Sequence, residues 1–181
     1  LGLPAAGLVV VPINARHALP EIRYALEDAG VRVLFADRPI DGIEDLGVRV
    51  VALGDEYERL LAEAAPVPWP DDRADADLAG IFYTGGTTGS PKGVMLTHGN
   101  LVANAFAFMA CWPFSRDTSW LVVAPLFHAA GTIGALATVW TGGNHVILGP
   151  FDAGRFLDLV EREGVTAAGF RERHLAEADL R

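Results

Sequence analysis

Hydrophobic and polar positions along this chain change period repeatedly, and strand-like runs alternate with helix-like ones. "LVVVP" (residues 8–12) is an unbroken β-prone run of the kind found in strands covered on both faces. "PEIRYALEDAG" follows, with Pro20 placed to open a helix and Gly30 to close it, and Ile22, Ala25, Leu26 and Ala29 fall on one helical face. "VRVLFAD" (residues 31–37) reads as the next strand, so residues 8–37 are expected to form a right-handed β-α-β unit in a parallel sheet. "VRVVAL" (residues 48–53) then predicts a strand and "DEYERLLAEA" (residues 55–64) a helix. "APVPWPDDRADAD" (residues 65–77) is rich in Pro and Asp and suits an exposed connector.

Beyond the connector the alternation resumes. "LAGIFYT" predicts a strand, a glycine-rich loop follows, and "GVMLT" predicts a second, short strand leading to a helix over residues 100–111. Strand "SWLVVAP", an apolar helix over residues 131–140, strand "HVILG", a helix over residues 152–163 capped by Asp152, and strand "VTAAGF" complete the pattern. Residues 121–140 lack Asp, Glu, Lys and Arg and are long enough to cross a bilayer. The change of character at "PLFHAAG" instead predicts a buried strand, a loop and a helix, with no transmembrane segment. The fold class expected is α/β, a mostly parallel sheet flanked by helices. Its parts are an N-terminal β-α-β portion (1–64), the connector (65–77), a portion with the glycine loop and the apolar segment after it (78–170), and an atypical charged tail (171–181).

Composition narrows the class. At 181 residues, 51% hydrophobic and 20% charged, the chain has the material for a sizeable core. A net charge of −9, with the basic residues scattered rather than clustered, disfavours a sequence-independent grip on nucleic acid or an anionic membrane. The one cysteine, Cys111, offers neither a disulfide framework nor a metal knuckle, and a cytoplasmic location is the expectation. The chain opens on Leu1 rather than Met and without the cationic start of a signal peptide, so a segment upstream is expected.

The chemistry concentrates in "IFYTGGTTGSPKGVMLTHGN" (residues 81–100). Glycine lets successive backbone N–H groups turn inward as an anion-binding nest and lets a phosphate approach the main chain. Gly85, Gly86, Gly89 and Gly93 supply that freedom, Thr84, Thr87, Thr88 and Ser90 supply hydroxyls, and Lys92 supplies a compact cation. Lys92 is the only lysine in the chain. A glycine-rich turn between two strands is the simpler explanation of such a segment, but the convergence of glycines, hydroxyls and a cation favours phosphate binding. It is not a Walker loop, because Gly93 follows Lys92 where Ser or Thr is required and the next element reads as a strand.

"YTGGTTGSPKGVMLTHGNL" resembles the phosphate-loop signature of the adenylate-forming (AMP-binding) enzymes, the superfamily of acyl-CoA synthetases, luciferases and peptide-synthetase adenylation domains. "GLVVVPINARHALPEIRYALEDAGVRVLFAD" is similar to the segment upstream of that loop in the family, and "APLFHAAG" to the segment downstream. The Thr-Gly-Gly-Thr-Thr-Gly form, with Gly85 where many members have Ser, is most similar to fatty-acyl-CoA ligases. The resemblance implies that Thr84, Gly85, Gly86, Thr87, Thr88, Gly89 and Lys92 surround the β- and γ-phosphates of ATP. It also implies that Lys92 and Thr87 act on the departing pyrophosphate and that Thr87 touches Mg²⁺. His128 corresponds to a position between the acyl pocket and the adenylate, with Phe127 and Gly131 lining the same pocket; a core histidine is the alternative for His128. Tyr83 and His98 flank the loop and are taken as framework. His17, His145 and His174 have no metal-ligand spacing.

The resembled enzymes are about three times as long, and their adenine- and ribose-binding residues and the catalytic lysine of their mobile C-terminal domain lie beyond the region matched here. The final residues, "RERHLAEADLR", match nothing in the family and suggest a frameshift or premature stop, or else a short exposed helix. The chain is thus expected to be a portion of the large N-terminal domain of an ATP-dependent acyl-CoA synthetase, inactive alone. Its parent would take a fatty or aromatic carboxylate, with ATP, Mg²⁺ and coenzyme A, and its partners would be the missing domains of that parent. A non-catalytic nucleotide- or phosphate-binding remnant and a peptide-synthetase adenylation domain are the alternatives.

Overall fold

The computed structural model describes residues 2–68, 73–85 and 91–169. Three expectations therefore lie wholly or partly outside the described residues: the connector at residues 69–72, the middle of the glycine loop (86–90) and the charged tail (171–181). By compactness the chain divides into Leu1–Leu96 and Thr97–Arg181.

In the first unit a single helical turn, α1 (Gly2–Ala5), precedes α2 (Leu19–Asp28). Helix α2 starts where Pro20 allows it and where the Glu21 carboxylate accepts from the Ala18 N–H at 2.9 Å. It stops before Gly30, which takes φ 61°, a left-handed conformation that costs glycine little. Ile22 and Leu26 are buried with Ile43, and Leu34, Ile40 and Leu46 close around them. Strand β1 (Val33–Ala36) pairs in parallel with β2 (Arg49–Ala52), Val33 opposite Arg49 and Ala36 opposite Ala52. The crossover between them runs through a short 3-10 turn (Glu44–Leu46), and α3 (Asp55–Glu63) follows β2.

The expected β-α-β unit over residues 8–37 is not formed as one sheet among the described residues. Residues 8–12 contribute one parallel bridge, Val10 to Gly80, with Val10 N–H donating to Ala79 at 3.0 Å and Ile81 N–H donating to Val10 at 2.9 Å. Pro12 lacks the N–H that a longer ladder would need, and β1 takes β2 as its partner instead. The bridge places residue 10 beside β3 (Leu78–Thr84), which in turn pairs with β4 (Lys92–Thr97).

The second unit is built on a three-stranded parallel sheet in the order β6-β5-β7, from β5 (Ser119–Val122), β6 (Asn144–Ile147) and β7 (Ala167–Ala168). The central strand explains the apolar run in the sequence: Ser119, Trp120 and Leu121 are all buried, as a strand covered on both faces requires. Helix α4 (His98–Cys111) is capped by Thr97, whose hydroxyl accepts from Asn100 N–H while the Asn100 side chain accepts from Thr97 N–H, each at 3.1 Å. Helix α5 (Ala129–Thr141) ends at Gly142, φ 73°. Helix α6 (Ala153–Arg162) is opened by Asp152, whose carboxylate accepts from Arg155 N–H at 2.8 Å, and it places Phe156 in a core with Leu121, Val146 and Leu148. Residues 121–140 thus divide into the end of β5, a turn and α5, as the sequence pattern predicts. No helix among the described residues is long and apolar enough to cross a membrane.

Candidate functional site

Strand β3 delivers the chain to the glycine loop and β4 takes it away. The base of β3 is anchored, with Ala79 and Phe82 buried, while its last residue, Thr84, is exposed. Thr84 Oγ1 donates to the carbonyl of Lys92, the first residue of β4, at 3.4 Å. That bond is long and therefore weak, but it shows the two ends of the loop meeting. Lys92 itself is exposed. At Gly85 nothing lies within 4 Å of the position a Cβ would take, so the main chain there is open to an approaching group. An exposed hydroxyl whose proton is engaged only in that weak bond, an open glycine and an exposed cation thus stand at the two ends of the loop. Of the predicted phosphate-binding residues, Thr84, Gly85 and Lys92 are thereby placed together; Gly86, Thr87, Thr88 and Gly89 lie outside the described residues.

Two neighbours of the loop act on its stems. A Cβ on Gly93 would stand 2.7 Å from Ile81 Cγ2 and 3.2 Å from Tyr83 Cζ, so only glycine lets β4 approach β3 this closely. Tyr83 donates its hydroxyl to Asp28 Oδ2 at 2.6 Å, and its ring meets Tyr24 edge to face at 6.1 Å. Partial burial, reinforced by the Asp28 carboxylate, pushes the Tyr83 phenol above its ordinary ionisation range, so it keeps the proton it donates. Asp28 carries no motif and lies 55 residues from Tyr83; its part at the loop stem has no sequence signal.

The predicted acyl-pocket residues belong to the second unit and share one turn. His128 is the residue before α5, with φ −102° and ψ 140°. Its N–H donates to Pro125 at 3.0 Å and its carbonyl accepts from Gly131 and Thr132 at 3.0 and 3.2 Å. The rings of Phe127 and His128 lie 4.5 Å apart at 51°. Within this chain His128 is exposed and Phe127 is half-buried. Gly131 is glycine for a steric reason: a Cβ there would lie 2.5 Å from the carbonyl oxygen of Pro125 and 2.6 Å from that of Ala124. His145, in contrast, is committed to the fold, its Nε2 lying 3.0 Å from the Ala135 carbonyl. A shallow cleft of about 240 Å³ between the β1–β2 pair and α3, with Phe35, Arg49 and Tyr57 in its wall, contains none of the predicted site residues.

Comparison with known proteins adds to this geometry. A family model described as AMP-binding enzyme matches residues 1–171. Feruloyl-CoA synthase of Amycolatopsis sp. is 37% identical over 163 residues, which is 89% of this chain and 33% of that protein. Long-chain-fatty-acid–CoA ligase FadD13 of Mycobacterium tuberculosis is 32% identical over 178 residues, 93% of this chain and 35% of its own length. Among solved structures, O-succinylbenzoate coenzyme A synthetase (MenE) of Bacillus subtilis in complex with AMP superposes with a TM-score of 0.85 at 27% identity, covering 96% of this chain and 45% of that one. ATP-bound MatB of Rhodopseudomonas palustris gives 0.83 at 29% identity, covering 96% of this chain and 36% of that one. The chain spans about a third of the length of the curated relatives it matches.

Proposed function

Since this chain belongs to the AMP-binding enzyme family, we propose that it forms part of an acyl-CoA synthetase, which joins a carboxylic acid to coenzyme A at the expense of ATP. The observation that carries this reading is the glycine- and hydroxyl-rich loop between paired β3 and β4, with Thr84 and Lys92 meeting across its ends. A carboxylate oxygen bonds to the α-phosphorus of ATP as the bond to pyrophosphate breaks, and the thiolate of coenzyme A then displaces AMP from the acyl carbon. No protein nucleophile is needed. The protein's task is to hold charge that grows on the leaving pyrophosphate, which pre-aimed donors and a cation achieve more strongly inside a closed site than in water. Thr84, Gly85, Gly86, Thr87, Thr88 and Gly89 supply hydroxyl and backbone donors to the β- and γ-phosphates, and Lys92 supplies the cation. Mg²⁺ would be held at the Thr87 hydroxyl and would neutralise phosphate charge.

His128, with Phe127 and Gly131, forms the wall that the acyl group meets. The substrate is an aromatic or fatty acid, in keeping with relatives named for ferulate and for long-chain fatty acids. The proposed compartment is the cytoplasm, where a chain with the lone Cys111 needs no disulfide.

ATP–pyrophosphate exchange, run with a panel of carboxylates on the full-length enzyme and on this segment alone, tests the proposal. Carboxylate-dependent exchange by the full-length enzyme, with acyl transfer to coenzyme A and none by the segment alone, is the expected result. Nucleotide binding without exchange for any acid would make this a phosphate-binding module. Transfer to a carrier protein rather than to coenzyme A would make it a peptide-synthetase adenylation domain.

A further inference from the structure

The bond between Tyr83 and Asp28 is not explained by the needs of either element alone. Asp28 is the last residue of α2, and a carboxylate at a helix C-terminus is disfavoured by the helix dipole. Its partner stands one residue before the mouth of the glycine loop: Tyr83, Thr84 and Gly85 are consecutive. At 2.6 Å the contact falls in the range of charge-assisted O–H···O⁻ bonds, which are about twice as strong as neutral ones. The same ring is fixed from two further sides. Tyr24, one turn earlier on α2, meets it edge to face, and β4 closes on it at Gly93, where a Cβ would come within 3.2 Å of Tyr83 Cζ. One side chain, carried on the β3 stem, therefore meets α2 and faces the β4 stem.

We propose that Tyr83 and Asp28 are positioning residues for adenylation: their hydrogen bond ties the stem of the phosphate loop to the end of α2 and so sets where Thr84 and Lys92 stand. The inference rests on the reading of the loop given above. Neither residue needs to touch ATP. Their effect passes through the placement of residues that do, and a misplacement of about 1 Å can cost on the order of a hundredfold in rate. Tyr83→Phe keeps the ring, and with it the contacts to Tyr24 and Gly93, while removing only the hydroxyl.

The test is steady-state adenylation by the full-length enzyme carrying Tyr83→Phe, Asp28→Ala, Asp28→Asn, the Tyr83→Phe/Asp28→Ala pair or Lys92→Ala. Thermal midpoints are measured in parallel and rates are read well below them. Tyr83→Phe and Asp28→Ala should each lower kcat/KM for ATP by roughly five- to fiftyfold, short of that limit, and leave KM for the carboxylate unchanged. The pair should be no worse than either alone, because the two remove one interaction. Asp28→Asn, which retains an acceptor oxygen, should recover most of the loss. A lowered thermal midpoint with unchanged kinetics would overturn the proposal, since that is what a purely structural bond produces. Loss in Lys92→Ala without loss in Tyr83→Phe would overturn the positioning role alone, whereas parental turnover in Lys92→Ala would overturn both that role and the reading of the loop beneath it.

Discussion

Replacing Gly134 by Ala sets two effects of opposite sign against each other, and the structure decides between them. Inside a helix Ala is preferred to Gly by roughly 0.5–1 kcal/mol, because glycine loses more backbone freedom on folding. Gly134 lies within α5, so helix propensity alone predicts stabilisation. A Cβ at this position, however, would stand 2.2 Å from Trp120 Cζ2 and 2.5 Å from Cε2. Carbon atoms in contact prefer about 3.5–4.0 Å, so the indole would have to retreat by about 1 Å or more. It has nowhere to go. Trp120 is 5% exposed, Phe114 and Phe108 stand 5.5 and 6.1 Å from it, and a Cβ on Gly169 would be only 3.3 Å from its ring. Overpacking of this kind costs about 1–3 kcal/mol, occasionally more. The steric term exceeds the propensity term, and a net destabilisation of roughly 1–2 kcal/mol is expected. Gly154, in the first turn of α6, is the control. It is exposed and a Cβ there meets only Asp152 Oδ1 at 3.4 Å, so Gly154→Ala should be neutral or stabilising by up to about 1 kcal/mol. Urea unfolding followed by far-ultraviolet circular dichroism compares the midpoints at constant slope. If Gly134→Ala matched or exceeded the stability of Gly154→Ala, the packing argument for the face of α5 would be wrong.

Lys92→Ala and Thr87→Val should each lower adenylation turnover by about ten- to a thousandfold, the scale for losing a donor to developing charge, while ATP binding weakens only modestly; rapid-quench turnover and equilibrium nucleotide titration separate the two. His128→Ala should reorder the preference among carboxylates and leave KM for ATP near parental, read from kcat/KM over a chain-length and aromatic series. Asp152→Ala should lower stability by about 1 kcal/mol through loss of the α6 cap, and Asp152→Asn should retain most of it, as thermal unfolding would report.

Local signals made much of this architecture legible in the sequence. Helix α2 starts at Leu19, with Pro20 in its first turn, and stops before Gly30, because the constraints of those residues operate over a single turn. Strand β3 coincides with "LAGIFYT", and the cap at Asp152 is a bond to an amide three residues away. The glycines and threonines between residues 84 and 93, with the single Lys92, carry the expectation of an anion-binding loop without knowledge of where the chain goes next. The pattern could not show that residues 8–12 bridge Gly80 rather than stand beside β1, because an apolar β-prone run fits several neighbours equally well.

What the sequence determined by itself are the properties that arise within a few residues: the periods of its strands and helices, their punctuation by Pro and Gly, and the chemical character of the loop. What only the tertiary structure decided are choices of partner. Asp28 meets Tyr83 across 55 residues, Gly134 makes room for Trp120, and Gly93 lets β4 close against Ile81 and Tyr83. Each depends on two segments arriving at one place, and the free energy that selects such a pairing comes from packing and hydrogen bonding between them, which neither segment carries alone.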